Sequence, residues 1–362
     1  MTGAARVRSI DLSRGLVVGL SLFLAGIPAG FTTGYSELHH ADWNGVTAMD
    51  LVFPSFITLT GSAMAIAAHR FRWSRVLRRT LVLLVLGLGF NALMAWSTSL
   101  ATLRIPGILQ RFALVTLAIA LFGRLVGRRW WAYAAAAIVV LGGHGILLAS
   151  TSGACQDSLP QPGCGISWEV DAAVFGEEHL YRGGQTGHDP EGLVSTLGAL
   201  GTALLGGAAG LLVLRYRGWR GAAFVTALVV AACASVPMLD GWLPVNKRVW
   251  TPSFAVLSGI FALLAVALSA AVYDRDPPVR DPFAWQLEAL GRNSLIVYFG
   301  KYALGASLGH LAVGGYPGVT EWAYRRLDEV TVYAELSYAA LWTLAWCALG
   351  ALLHWRRIYI RA

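Results

Sequence analysis

Histidine and carboxylate side chains lie close together in one short segment, the part of this sequence best suited to acid–base chemistry. Residues 39–45 read His-His-Ala-Asp-Trp-Asn-Gly, and Asp50 follows in the first turn of a predicted helix. Histidine ionises near neutral pH, so it suits the role of a general base. Asp42 or Asp50 could orient the histidine ring or stabilise the imidazolium that forms.

Two arginines at the start of another predicted helix could bind an anion or a carbonyl oxygen. Arg104 and Arg111 enclose the segment Ile-Pro-Gly-Ile-Leu-Gln, and this spacing places them on one face of a helix. Arg111 is expected about 10 Å inside the membrane span, too deep to reach water easily. The residues leave two interpretations open, a buried structural ion pair and a clamp for an anion or thioester oxygen.

Charged and amide residues stand out at two further places. The predicted helix 289–311 has Asn293 and Ser294 at its inner end and Lys301 near its middle. A charged side chain at that depth indicates function. The loop before the eighth predicted span carries Asn246 and Lys247, and its cations lie on the side of the membrane that is otherwise poor in them. A solvated loop is the alternative interpretation.

Other polar residues have a structural interpretation. Ser55, Thr58 and Ser62 share one helical face, which is typical of close packing between membrane helices. Asp189 and Glu191 come directly before a predicted helix. We therefore expect Asp189 to cap that helix and Glu191 to favour its first turn.

The elements that must position these residues are predicted to be membrane-spanning helices. The chain has 362 residues, is 56% hydrophobic and only 13% charged, and has a mean hydropathy of +0.58, which excludes an ordinary soluble domain. Its net charge of +8 does not indicate a nucleic-acid partner, because the charges lie between apolar runs. We predict an all-α polytopic membrane bundle of about ten spans, at 11–31, 47–68, 80–97, 105–123, 131–149, 193–213, 221–237, 249–272, 289–311 and 335–353.

The distribution of arginine predicts the orientation of this bundle. Most of the 28 Lys and Arg residues lie in alternate connecting segments, near 6–14, 70–79, 124–129, 215–220, 275–292 and 356–361. The positive-inside rule places these segments and both termini in the cytoplasm. Residues 1–362 are predicted to form one transmembrane domain, with an extracytoplasmic loop or lid at about 150–192.

The predicted outer loop contains two of the four cysteines. Cys155 and Cys164 are nine positions apart on the oxidising side, which favours a disulfide over two free thiols. They have no histidine partners at metal-ligand spacing, so no metal is expected.

Several of these segments, taken together, resemble the catalytic membrane domain of the heparan-α-glucosaminide N-acetyltransferase family. The resemblance extends in family order over nearly the whole chain. The matching stretches are Ser9-Ile10-Asp11 with Arg14-Gly15; His40-Ala41-Asp42-Trp43-Asn44-Gly45; Asp50-Leu51-Val52-Phe53-Pro54; Arg104-Ile105-Pro106-Gly107-Ile108-Leu109-Gln110-Arg111; Asp189-Pro190-Glu191-Gly192-Leu193; Asn246-Lys247 with Trp250; and Gly291 with Asn293-Ser294.

The resemblance implies transfer of an acetyl group from cytosolic acetyl-CoA to an acceptor outside, an amino sugar or cell-envelope glycan. His40 is then the catalytic residue, as general base or acetyl carrier, with Asn44 and Asp50 assisting. The predicted acetyl-CoA-binding residues are Arg104, Gln110, Arg111, Asn246, Lys247, Asn293, Ser294 and Lys301. We further expect the protein to lie in a bacterial plasma membrane, to contact membrane lipids and to be a candidate homodimer.

One departure from the family pattern concerns the first span. Several relatives carry a catalytic asparagine near its outer end, whereas residues 24–29 read Leu-Ala-Gly-Ile-Pro-Ala here. Either another group replaces it, with Asn44 as the candidate, or the chemistry of this chain has diverged from that of the family. The rival interpretation is a transporter in which the outer charges and Lys301 line a solute path, although the inverted repeats typical of transporters are not evident.

Overall fold

The computed structural model of the protein describes residues 7–27, 38–68, 71–274 and 281–359. Within these residues the chain forms thirteen α-helices, so the predicted all-helical fold is confirmed. In chain order they are α1 (Arg8–Leu24), α2 (Ala48–Ala67), α3 (Trp73–Ala95), α4 (Ile108–Val126), α5 (Trp130–Thr151), α6 (Ile166–Phe175), α7 (Leu193–Arg215), α8 (Trp219–Trp242), α9 (Pro252–Tyr273), α10 (Pro282–Arg292), α11 (Ser294–Gly309), α12 (Val319–Asp328) and α13 (Ala334–Trp355).

Eight of these helices are long and apolar enough to cross a membrane, and each corresponds to one of the ten predicted spans. They are α2, α3, α4, α5, α7, α8, α9 and α13. The first predicted span begins as α1, which has 17 residues. α6 and α12 have ten residues each and belong to segments predicted to connect the spans.

The ninth predicted span, 289–311, is wrong as a single helix, because it is divided between α10 and α11 at Asn293. Asn293 departs from helical dihedral angles (φ −107°, ψ 18°), and its side-chain amide donates back to the carbonyl of Ala289 (3.2 Å). α10 begins after Asp281, whose carboxylate caps it by accepting from the N–H of Ala284 (2.7 Å). Its eleven residues include glutamine, glutamate and arginine, which is typical of an amphipathic helix rather than a span.

Some residues used in the sequence argument lie outside the described ranges. They are Pro28 and Ala29 of the first predicted span, and the arginines Arg6, Arg70, Arg275, Arg280 and Arg361. The cytoplasmic placement of both termini stays a prediction.

The chain divides into two compact units. Unit 1 consists of Met1–Ile10, Ala41–Val46 and Phe53–Val279, and unit 2 consists of Asp11–His40, Thr47–Val52 and Arg280–Ala362. The helices α1 and α2 therefore each contribute residues to both units. That residues 1–362 act as one membrane domain stays a prediction.

The central helix of unit 1 is α7, which is buried along nearly all of its length. It packs against α4, α5, α8 and α9. In contrast, α3, α5 and α8 expose apolar side chains, among them Leu81, Val139 and Val230. Apolar side chains on the outside of long apolar helices suit contact with lipid rather than with water.

Small residues allow α2 and α7 to approach each other closely in unit 1. A β-carbon on Gly206 would overlap the carbonyl oxygen of Thr58, and one on Gly61 would overlap that of Ala203. The hydroxyl of Ser62 donates to the carbonyl of Gly206 (2.6 Å). The packing interpretation of the Ser55–Thr58–Ser62 face is therefore confirmed, because these side chains are buried in a helix–helix contact.

The helices of unit 2 make a similar close contact. A β-carbon on Gly15 of α1 would overlap the carbonyl of Leu287 in α10, and one on Gly291 would overlap the carbonyl of Asp11. Asp11 also pairs with Arg14 one turn later (3.4 Å). These family-motif residues thus have a structural reason, since they let α1 and α10 cross at backbone distance.

Alanine at Gly206 should destabilise the protein, because its methyl group has no room between α2 and α7. Overpacking of this kind costs about 1–3 kcal/mol. Thermal unfolding in detergent should therefore show a lower midpoint for Gly206→Ala. The matched control is Gly143→Ala on α5, where an added β-carbon meets nothing within 4 Å. Equal midpoints for the two variants would contradict the close α2–α7 contact.

Candidate functional site

His40 and Asp50 form a hydrogen-bonded pair in unit 2. Nδ1 of His40 lies 2.6 Å from Oδ1 of Asp50. The Asp50 side chain is 1% exposed, whereas the His40 side chain is 46% exposed. A carboxylate at this distance favours the tautomer that carries its proton on Nδ1 and its lone pair on Nε2. The pair has the geometry in which a buried acid orients a general base.

The start of α2 fixes the carboxylate of Asp50. The backbone N–H and the hydroxyl of Thr47, the residue before α2, both donate to Oδ2 of Asp50 (3.1 Å each). The backbone N–H of Asp50 in turn donates to the carbonyl of Thr47 (3.1 Å). One oxygen of Asp50 therefore begins the helix while the other holds His40.

The segment 41–46, which we call the motif segment, lies against the loop before α9 within unit 1. The backbone N–H of Gly45 donates to the carbonyl of Val245 (2.7 Å). The amide of Asn246 donates to Oδ1 of Asn44 (3.0 Å). The guanidinium of Arg248 donates to the backbone carbonyl of Ala41 (3.2 Å). Two of the predicted site residues, Asn44 and Asn246, are therefore in direct contact.

Arg104 is the centre of an ion cluster in unit 1. Its Nε and Nη2 donate to the two carboxylate oxygens of Asp189 (3.0 and 2.5 Å). Nη2 also donates to Glu191 (2.6 Å). The guanidinium lies over the ring of Tyr181, 4.9 Å from its centroid. The sequence-based expectation that Asp189 and Glu191 only cap α7 is wrong, because both bind this guanidinium.

The charges in this cluster stabilise one another. Burial alone would lower the pKa of Arg104, but the carboxylates of Glu191 and Asp189 outweigh it and raise the pKa. Burial alone would raise the pKa of Glu191, but the charges of Arg104 and Arg111 outweigh it and lower the pKa. Lys247 contributes in the same direction as these arginines. Arg104 and Glu191 are therefore both ionised at neutral pH.

Arg111 is completely buried on α4 and binds uncharged groups. Its Nη2 donates to the hydroxyl of Ser195 (2.5 Å) and to a backbone carbonyl at Pro190 (2.6 Å). Its guanidinium also lies 4.7 Å from the ring centroid of Trp250. Nη1 has no hydrogen-bond partner among the described residues. A buried, unused donor on a cation is well suited to receive a carbonyl or anionic oxygen.

Gln110 holds the turn that leads from Arg104 into α4. Its amide donates to the carbonyl of Ile105 (2.9 Å). On α3, Asn91 donates to the carbonyls of Arg104 and Pro106 (2.8 Å each). Gln110 thus positions Arg104 through the backbone.

The remaining predicted residues belong to unit 2. Asn293 is buried at the junction of α10 and α11, and its Oδ1 has no partner among the described residues. Ser294 begins α11. The ammonium of Lys301 donates to the carbonyl of Ser21 (2.5 Å) and lies 4.8 and 4.7 Å from the ring centroids of Tyr298 and Tyr302. Backbone and aromatic contacts therefore hold this buried cation, and the described residues provide no ion-pair partner.

The sequence analysis missed Asp171, which caps α7. Oδ1 of this buried aspartate on α6 accepts the N–H of Leu193 (2.8 Å), and a β-carbon on Gly192 would overlap the carboxylate. Burial raises the pKa of Asp171 to about 7, against the opposing hydrogen bond from Leu193. An isolated aspartate in an outer loop gives no sequence signal for this contact.

The ring of His188 was also missed. It packs edge-on against Trp43, with centroids 5.2 Å apart, and lies 6.1 Å from the ring of Tyr181. Burial lowers the pKa of His188, so this side chain is neutral at pH 7.

The structure divides the predicted site residues between the two units. Unit 1 contains Asn44, Arg104, Gln110, Arg111, Asn246 and Lys247, and unit 2 contains His40, Asp50, Asn293, Ser294 and Lys301. Among the described residues, no three His, Cys, Asp or Glu side chains converge in the way that metal ligands do.

Comparison with known proteins confirms the predicted resemblance. Residues 6–155 match the family model described as heparan-alpha-glucosaminide N-acetyltransferase, catalytic. The chain is 25% identical to the human heparan-alpha-glucosaminide N-acetyltransferase over 365 residues, covering 82% of this chain and 52% of the relative. It is 23% identical to the mouse protein of the same name, covering 84% and 54%. The chain therefore spans about half the length of the curated relatives it matches.

Raising the pH should destabilise the protein through Asp171. The carboxyl is protonated in the folded state up to about pH 7, whereas in the unfolded chain its pKa returns to the ordinary aspartate value of 3.8. Its contribution to stability is therefore complete below pH 3.8 and lost as pH rises to 7, by about 1.4 kcal/mol per pH unit. Asp171→Asn keeps an acceptor for Leu193, so its unfolding midpoint should exceed that of the wild type at pH 8 and match it near pH 4. Parallel pH profiles of the two proteins would contradict this assignment.

Proposed function

We propose that this chain is a membrane acetyltransferase that moves an acetyl group from acetyl-CoA to an acceptor on the opposite side of the membrane. The match to the acetyltransferase family supports the reaction class. The single observation that carries the proposal is the His40–Asp50 pair, since this histidine lies in the family motif and has a buried acid on its Nδ1. The acceptor is an amino sugar or cell-envelope glycan, by analogy with the name of the relatives, and the membrane is a bacterial plasma membrane.

His40 acts as the general base in this proposal. Its Nε2 removes a proton from the attacking amine or hydroxyl while the acceptor atom bonds to the thioester carbon. The carbon–sulfur bond then breaks, and the imidazolium returns its proton to the departing CoA thiolate. Asp50 stabilises the imidazolium between these two steps, and its hydrogen bonds from Thr47 keep the acid in place.

The buried arginine supports a donor-binding role in unit 1. Nη1 of Arg111 has a hydrogen still to donate, and Ser195 and Thr196 hold the guanidinium in a fixed orientation. A carbonyl or phosphate oxygen of acetyl-CoA would satisfy this donor. Arg104, already bound to two carboxylates, positions the turn before α4, and Asn246 positions Asn44.

Replacing His40 should slow transfer sharply, because the variant lacks the group that removes the proton from the attacking amine or hydroxyl. General-base catalysis contributes about 100-fold to 10,000-fold, so His40→Ala should lose at least two orders of magnitude in kcat. The measurement is acetyl transfer to glucosamine by purified protein in detergent. His39→Ala is the matched control, one residue away on the same segment, and should retain activity. Undiminished transfer by His40→Ala would rule out the assigned base.

A second measurement separates direct transfer from a covalent acetyl-histidine. The protein is mixed with acetyl-labelled acetyl-CoA without acceptor, quenched within seconds and digested for mass spectrometry. Direct transfer predicts no label on the peptide containing His40. A stoichiometric acetyl group on that peptide, absent in His40→Ala, would replace the general-base route with an acetyl-carrier route.

A further inference from the structure

The only disulfide among the described residues closes a turn between α5 and α6. Cys155 and Cys164 are bonded, with their Cα atoms 5.9 Å apart, so the disulfide expected from the sequence is confirmed. Cys155 is buried, and the closed turn contains the 3₁₀ turn Gln156–Ser158 and a β-bridge between Gln161 and Cys164. The bond therefore organises a segment that has little regular structure of its own.

The disulfide-closed turn contacts the motif segment through one hydrogen bond. The indole N–H of Trp43 donates to the carbonyl of Pro160, in the middle of the turn (3.1 Å). The Trp43 side chain also packs against a buried apolar cluster of unit 1, and Leu159 of the same turn packs against that cluster too. The tryptophan is thus anchored both by its polar atom and by its ring.

The same turn also positions His188, a second residue that contacts Trp43. The backbone N–H of Gly163 donates to the carbonyl of Gly187 (2.7 Å). The next residue is His188, whose ring packs edge-on against Trp43. Gly187 has φ +62°, and a β-carbon there would overlap the backbone N of Gly163. Backbone contact between these two glycines brings His188 into position, and Trp43 lies between Pro160 and His188.

We infer that the Cys155–Cys164 disulfide is a positioning device for the motif segment, and that it acts through Pro160 and Trp43 on Asn44. The closed turn has fewer conformations available, so the Pro160 carbonyl is presented to the indole at a smaller entropic cost. Trp43 is followed by Asn44 and Gly45, which bond to Asn246 and Val245. Opening the disulfide weakens the bond between Pro160 and Trp43, so the segment that contains Asn44 and Gly45 is no longer held at its Trp43 side. The part of the inference that concerns catalysis rests on the proposed acetyltransferase function and on the assisting role that the family resemblance implies for Asn44.

Amide hydrogen exchange tests the positioning without any assay of activity. The backbone N–H of Gly45 is bonded to Val245, so the peptide containing 41–46 reports directly on the motif segment. In Cys155→Ser/Cys164→Ser this peptide should exchange about tenfold faster than in the wild type. A peptide covering 251–258, where the N–H of Ala255 is bonded to Thr251, should be unchanged. Cys233→Ser removes a free thiol on α8 and is the matched control for the serine substitutions.

A second variant identifies Trp43 as the link. Trp43→Phe deletes the indole donor but keeps a ring against His188, and it leaves the disulfide intact. It should accelerate exchange at 41–46 to the same extent as the double serine variant. Combining all three substitutions should add nothing further, because both changes remove the same contact. Exchange at 41–46 that stays at the wild-type rate in either variant, or rates that multiply in the combination, would overturn the inference.

The kinetic consequence is read in the same variants. The kcat for acetyl transfer should fall by the same factor, about tenfold, in Trp43→Phe, in the double serine variant and in their combination. Exchange that changes as expected while kcat stays at the wild-type value would overturn the step from Trp43 to Asn44. If the wild-type protein transfers no acetyl group, the proposed function fails, whereas the exchange result still decides whether the disulfide positions the motif segment.

Discussion

The bidentate contact between Arg104 and Asp189 is the interaction on which the described site of unit 1 most depends. Asp189 receives two bonds from Arg104 and one each from the backbone N–H groups of Tyr181 and Glu191. A buried carboxylate with so many donors is stable only while the guanidinium is present, and removing one partner of such a pair costs about 3–5 kcal/mol. This contact fastens the turn before α4 to the segment 181–191, which leads into α7.

Arg111 depends on that arrangement. Its donors reach the carbonyl of Pro190, which directly follows Asp189, and the hydroxyl of Ser195 in the first turn of α7. The uncharged oxygens hold the guanidinium without neutralising it, and Nη1 keeps a hydrogen to donate. Arg104 lies before α4, which begins at Ile108, so the expectation that both arginines share one helical face is wrong. Arg104 organises the segment, and Arg111 keeps the buried donor that the proposed function assigns to acetyl-CoA.

The sequence predicted the helices well, because apolar runs of about twenty residues have few structural alternatives. The prediction of the ninth span was wrong because the polar stretch that ends at Asn293 was joined to the apolar run that follows it. That polar stretch was a local signal for a helix boundary. The hydrogen-bond and ion-pair partners of the polar side chains were harder to predict from the sequence. His40 and Asp50 lie only ten positions apart, and the sequence analysis left Asp42 and Asp50 as alternative partners of His40, a choice that the structure makes in favour of Asp50. The pairing of Arg104 with Asp189 joins residues 85 positions apart and leaves no local pattern.

The same limit applies to the disulfide-closed turn. Spacing and compartment predicted the bond between Cys155 and Cys164, but nothing local links Pro160 to a tryptophan 117 positions earlier. Asp171 was missed for a related reason, since its environment is created by α7 and not by its neighbours in the chain. Residue types thus indicated which chemistry was available, whereas long-range packing determines which side chains are brought into contact.

Acetyl transfer across the membrane is the central claim, and sealed vesicles test it most directly. Purified protein is reconstituted with acetyl-labelled acetyl-CoA trapped inside and unlabelled glucosamine outside. The account predicts labelled N-acetylglucosamine in the outer medium, with CoA thiol accumulating inside, and neither product with His40→Ala. Intact acetyl-CoA or another unaltered solute crossing to the outside, without any acetylated sugar, would contradict it and favour a transporter.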